Sequence, residues 1–156
     1  MSGFEVIAGG VPDCQNAAVS VRASIVALES AMASSPDRIE PPEVRHIFAP
    51  GVYCRQMLIP AGVTIVGKIH RHAHVNMIST GRIAVVTEFG QEIIEGPKTW
   101  VSEPGTKRAV TALTDTLWTT VHPTEETDLA KIEEYVIAPT YETIGLMSPQ
   151  CIEVAP

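Results

Sequence analysis

The chain has 156 residues, 45% of them hydrophobic and 19% charged, one domain's worth of sequence with ample apolar content for a single core and no sign of a second domain. A net charge of −7 opposes phosphate backbones, and no Lys/Arg cluster with interleaved aromatics offsets it, so nucleic acid is not an expected partner. Eleven Gly and twelve Pro imply frequent chain reversals and an all-β body instead of long helices.

Residues 1–12 carry Gly9, Gly10 and Pro12 and read as an extended or mobile arm. From Asp13, a good N-cap, to Ser34-Ser35-Pro36, a good stop, Val21, Ile25, Leu28 and Met32 recur at helical spacing and predict one amphipathic helix. Arg22 and Glu29 are its only charges between Cys14 and Ser35. A helix so sparsely charged has neighbours on more than one side, either its own barrel or a second subunit. The apolar run from Ala17 to Leu28 is short and broken by Arg22, so it predicts neither a signal peptide nor a membrane span.

Cys14, Cys54 and Cys151 are odd in number and far apart, with no C-x-x-C, so neither a disulfide framework nor a zinc ribbon is written here and a reducing cytoplasm is the expected compartment. Pro36 to Pro42 forms a linker by composition. Strand-like segments then follow at 52–59, 63–70, 75–79, 82–88, 91–95, 99–102, 108–113 and 116–122, most of them bounded by Gly or Pro turns. This spacing indicates a sandwich or barrel. After His122-Pro123, an acidic start at 124–128 and the stripe Leu129, Ile132 and Tyr135 or Val136 predict a short terminal helix. The expected organisation is an arm and helix at 1–36, a barrel with its terminal helix at 37–138, and a tail at 139–156.

Three of the five histidines, His70, His72 and His74, lie within five positions. On a strand, residues i and i+2 share a face about 6.6 Å apart, so His70 and His72 can turn toward one metal ion. His74 joins them only if the chain turns, because on a straight strand its Cα lies roughly 13 Å from that of His70.

Gly62, the His-x-His pair, a third ligand position and Gly81 resemble the first motif of the cupin superfamily, G-x5-H-x-H-x3,4-E-x6-G. Counting back from Gly81 puts His74 at the Glu position, whereas counting forward from His70 and His72 puts Asn76 there. The segments His46 to Arg55, Ile59 to Gly62, Gly67 to His70, Pro104 to Arg108 and Trp118 to Asp128 look like small cupin-like proteins of tailed phages and prophages. The resemblance implies a double-stranded β-helix, that is, a jelly-roll barrel with an N-terminal helix and a short C-terminal helix.

The second cupin motif would supply a further histidine, yet Arg108 stands at that step, where a cation would hold an anionic substrate or a carboxylate. Thr116, Trp118, Thr120 and His122 share one strand face, so His122 is a replacement ligand. His70, His74 and His122, with His72 as the spare, would form a three-histidine site for Zn, Fe(II), Mn or Ni. Trp118 reads as core filling before it reads as a stacking platform, and Tyr53 as a packed ring before a proton donor.

Two functions follow as expectations. The first is a noncatalytic phage-type module, an accessory or virion component that assembles as a homo-oligomer and with other phage structural proteins, any metal being structural. The second is a metal-dependent small-molecule enzyme, dioxygenase- or isomerase-like, with Arg108, Trp118 and Tyr53 about the ligand. A sealed apolar interior would favour the first, and an open cavity at the histidines the second.

Overall fold

The computed structural model describes residues 14–145. The expected arm at 1–12, the Asp13 cap and the tail beyond residue 145 lie outside them. Helix α1 (Cys14–Ala33) is followed by β1 (Val44–Ala49), β2 (Val52–Ile59), β3 (Thr64–Val66), β4 (Ile69–His70), β5 (His74–Thr80), β6 (Arg82–Thr87), β7 (Gly90–Glu95), β8 (Lys98–Ser102), β9 (Arg108–Ala112) and β10 (Thr116–Pro123). Helix α2 (Leu129–Val136) and the two-residue strand β11 (Ile137–Ala138) close the body.

One sheet runs β1-β2-β10-β5-β8 and the other β3-β9-β6-β7, while β4 pairs with β11. Setting aside β1, β4 and β11, the eight remaining strands are ordered first, eighth, third, sixth in one sheet and second, seventh, fourth, fifth in the other. Each pair sums to the same rank, as in a long hairpin nested about the β6–β7 turn and then rolled so that β10 meets β5 and β9 meets β6. That is the jelly-roll, or double-stranded β-helix.

The inward faces divide the barrel into two ends. One is apolar, with Ile59, Ile78, Ile83, Val110 and Ala112 at most 1% exposed and Val85, Ile94 and Met57 packed around them. Each of the large aliphatics contributes about 1.5–3 kcal/mol by leaving water, which makes this end the anchor of the fold. Toward the other end the same strands present Tyr53 and Arg55 on β2, His74 and Asn76 on β5, Ser102 on β8, Arg108 on β9, and Thr120 and His122 on β10.

Helix α1 lies against β3 and β6, and both of its charges serve that docking. Arg22 pairs with Glu88 and its guanidinium stands 4.3 Å over the Tyr141 ring, while Glu29 meets Lys107 Nζ at 2.8 Å. Lys107 is buried and also donates to Gly67 O at 3.1 Å. The acidic run 124–128 precedes α2 and does not form its first turn: Asp128 is the N-cap and accepts from Ala130 and Lys131 N–H. Ile132 and Val136 form the buried stripe of α2, and Tyr135 stays exposed.

Candidate metal centre

The segment 63–70 does not run as one strand. It breaks after β3, and residues 71–73 turn the chain before β5. Arg71 locks that turn: its backbone N–H donates to Val136 O at 2.8 Å and its Nε to Ile137 O at 2.9 Å. The turn brings His74 back beside His70 with ring centroids 4.0 Å apart. His122, carried in on β10, lies 5.4 Å from His70 and 4.9 Å from His74 by the same measure. One nitrogen from each ring falls within 4.8 Å of the others. A metal at 2.0–2.1 Å from three imidazole nitrogens needs them about 3.3 Å apart, a closure that small ring rotations supply.

His72, expected as the spare ligand, is not part of this group. It is exposed and packs its ring against Tyr135 of α2, with centroids 4.6 Å apart. The break in strand geometry is the cause: an unbroken strand would have paired His70 with His72, whereas the turn exchanges His72 for His74.

Whether these rings suit a metal is testable on the structure. His70 Nδ1 is buried and has no hydrogen-bond partner, a condition that costs free energy unless something takes its lone pair or proton. His74 Nδ1 donates to His72 O at 3.4 Å, leaving Nε2 as the lone-pair side. Burial is the largest force keeping all three neutral. It holds His70 at about 2, with the neighbouring His74, His122, Arg108 and Arg55 pushing the same way, and His122 at about 4. The pKa of His74 is lowered as well, the bond to His72 partly opposing burial. Neutral imidazoles with converging nitrogens are the donor set of a divalent transition metal.

Those depressed values have a consequence for stability. The unfolded histidines take protons near pH 6.5 and the folded ones do not, so acid favours the unfolded chain. Stability is complete above that pH and declines as pH falls toward about 4 for His122 and about 2 for His70. In metal-free protein, the melting temperature should therefore fall from pH 7 to pH 4 more steeply for wild type than for His70→Gln. Parallel curves would show that His70 is not held neutral by the fold.

The centre opens on a cavity of about 1170 Å³, so the sealed apolar interior is not found. Tyr53, Arg55, Arg108 and Trp118 line it with the three histidines. Trp118 also belongs to the core, and its Nε1 donates to Asn76 Oδ1 at 3.1 Å. Asn76 Nδ2 donates to Ser102 Oγ at 2.7 Å, and Arg108 Nη2 donates to the same oxygen at 2.5 Å. Tyr53 has its hydroxyl 2.8 Å from His46 Nδ1. His46 therefore belongs to the rim on β1. It escaped the sequence because β1 is nearly all exposed and shows no alternation. Arg55 was also missed, although its place two residues after Tyr53 on β2 is a legible same-face signal. Glu88, Glu95 and Glu103 do not line the cavity, and Glu88 is held by Arg22.

No family model and no curated protein matches this sequence. Among solved structures, the chain is similar to a cupin-2 domain containing protein from Shewanella frigidimarina NCIMB 400, at 8% identity over 55% of this chain and 84% of that one, with a TM-score of 0.46. It is similar to KdgF from Halomonas sp. at 16% identity over 55% of this chain and 79% of that one, with a TM-score of 0.46. A Cupin 2 conserved barrel domain protein from Salinispora arenicola CNS-205 aligns at 14% identity over 65% of this chain and 92% of that one, with a TM-score of 0.44. Strand order carries the fold assignment by itself: the chain is a jelly-roll barrel, a double-stranded β-helix, with three histidines gathered at one end.

Proposed function

We propose that this protein holds a divalent transition metal through His70, His74 and His122 and presents it to a small molecule in the cavity. The observation that carries this reading is the convergence of three buried or half-buried neutral imidazoles, one with an orphaned nitrogen, on an open chamber. A metal there would act as a Lewis acid toward a bound ligand while keeping positions free for it. The chain's own residues supply the surroundings: Arg108 and Arg55 give fixed positive charge, Trp118 and Met57 an apolar wall, and Tyr53 a hydroxyl already tied to His46.

Among the described residues no carboxylate stands with the three histidines, and those that line the cavity are Glu29, Asp37, Glu40 and Glu133. Glu29 and Glu133 are bound to Lys107 and Lys68. The proposal is therefore a metal-dependent ligand site whose acid–base needs fall on Tyr53, on metal-bound water or on the ligand itself. A noncatalytic phage-type accessory role is the weaker reading, because assembly asks nothing of a chamber this large. Self-association remains part of the proposal, and Val26 and Leu28, exposed on α1, support it.

Elemental analysis after chelator-free purification tests the reading. One equivalent of a transition metal per chain is expected, with a melting temperature that drops when a chelator removes it. Protein that carries no metal, and that shows no thermal shift with excess Zn²⁺, Mn²⁺, Ni²⁺ or anaerobic Fe²⁺, would defeat the proposal.

A further inference from the structure

The fold pairs a buried cation when it needs to: Lys107, 6% exposed, has both a carboxylate from Glu29 and a carbonyl from Gly67. The next residue is treated differently. Among the described residues no carboxylate lies within 4.0 Å of the Arg108 guanidinium. Its one hydrogen bond goes to the neutral Ser102 hydroxyl, and the Trp118 ring lies 5.9 Å away. Glu92 is the carboxylate whose charge it feels, and Glu92 is exposed, near Lys98 at 3.9 Å. Burial accordingly favours loss of charge at Arg108.

Arg55 lines the same cavity from β2, and among the described residues its side chain has neither a hydrogen-bond nor an ion-pair partner. Both charges reach the His70 ring. A protein of net charge −7 thus places Arg55 and Arg108 in this cavity with no carboxylate within 4.0 Å of either among the described residues, Glu133 being the lining carboxylate that feels the charge of Arg55 from farther off. Leaving a desolvated cation without a counterion is costly unless a ligand supplies the opposite charge.

We infer that the cavity takes a small organic acid whose carboxylate is held by Arg108, with Arg55 as the second cation, beside the histidine cluster. This rests on the reading of the chamber as a ligand site. Arg108 already commits Nη2 to Ser102, which leaves a free edge of its planar fork for a bidentate carboxylate. Met57, Ile65, Val110 and Trp118 give the cavity an apolar face. That surface suits the body of an organic acid better than a bare phosphate, which needs donors on every side.

The test titrates full-length protein with benzoate, hexanoate and succinate, each beside its uncharged amide. Calorimetry and tryptophan fluorescence follow binding, and metal content is measured on the same samples. At least one acid is expected to bind at least 10-fold tighter than its amide. Arg108→Gln and Arg55→Gln should each weaken that acid at least 10-fold while leaving metal content unchanged, and Arg108→Lys should recover part of the loss. The inference is overturned if acids and amides bind alike, if both folded Gln variants keep wild-type affinity, or if inorganic phosphate binds more tightly than every acid. Should Arg108→Gln fail to fold, Arg55→Gln and Arg108→Lys decide by the same limits. Acid preference in a chain that holds no metal would sink the metal proposal and sustain this one. Stoichiometric metal without acid preference would do the reverse.

Discussion

His74→Ala is expected to lower affinity for Zn²⁺ by ~100-fold or more, whereas His72→Ala leaves it within about a factor of two. The contrast follows from backbone geometry. The sequence offers His70, His72 and His74 as three equivalent members of one alternation, and strand periodicity alone would pair the first two. The turn at 71–73, held by Arg71 on Val136 and Ile137, places His72 outside against Tyr135 and His74 inside against His70 and His122. Loss of His74 also removes the ring whose Nδ1 is already oriented by a backbone carbonyl. Competition with a chromophoric chelator measures both variants. Comparable losses from the two would mean that the metal sits elsewhere, and an unaffected His74→Ala would remove the centre altogether.

Gly81→Ala should destabilise the barrel by about 3–5 kcal/mol, a large part of what a domain of this size possesses. Gly81 joins β5 to β6 with φ at 99°, a region that side chains disfavour. A β-carbon there would stand 2.6 Å from Thr116 Cα and nearer still to Asp115 O and Thr116 Oγ1. These neighbours cannot yield, since Thr116 is fully buried and opens β10, the strand shared by β2 and β5. Gly62→Ala is the control: its φ of 82° is also positive, but nothing lies within 4 Å of the added carbon. It should cost only about 1 kcal/mol. Urea midpoints for the pair separate conformational preference from collision, and equal midpoints would refute the packing argument.

Strands were most legible where burial alternates. The segments 52–59, 82–88 and 116–122 correspond to β2, β6 and β10 within a residue, because each has one face in the core and Gly, Pro or Asp at its ends. Strand β1 left no such trace. Its outer position in the sheet exposes both faces, so pairing with β2 holds it, not side-chain burial. The pairing of β4 with β11 was equally hidden, two residues being too few to carry a period. For the site, His70, His74 and His122 were readable through family-like spacing and the shared face of β10. The exclusion of His72 was not, because it depends on contacts that residue 71 makes with residues 136 and 137. Arg108 and Lys107 carry one charge each and sit side by side, yet one enters the chamber and the other meets Glu29. Adjacent positions at the start of β9 face opposite sides, and α1 supplies the carboxylate on the Lys107 side.

Helix α1 also sets a schedule for the newborn chain. Its anchors, Glu88 and Lys107, are more than fifty residues downstream of its end at Ala33. At 5–20 residues per second, roughly 4–15 s pass between synthesis of the helix and synthesis of Lys107. Strand β2 waits similarly for β10, but in that interval it has β1 as a hairpin partner. The helix has no neighbour of that kind, and Val21, Ile25 and Met32 stay wet until the second half of the barrel emerges. Having only two charges lets α1 dock in one place when the barrel is complete. On the ribosome the same scarcity makes it the segment most in need of a chaperone.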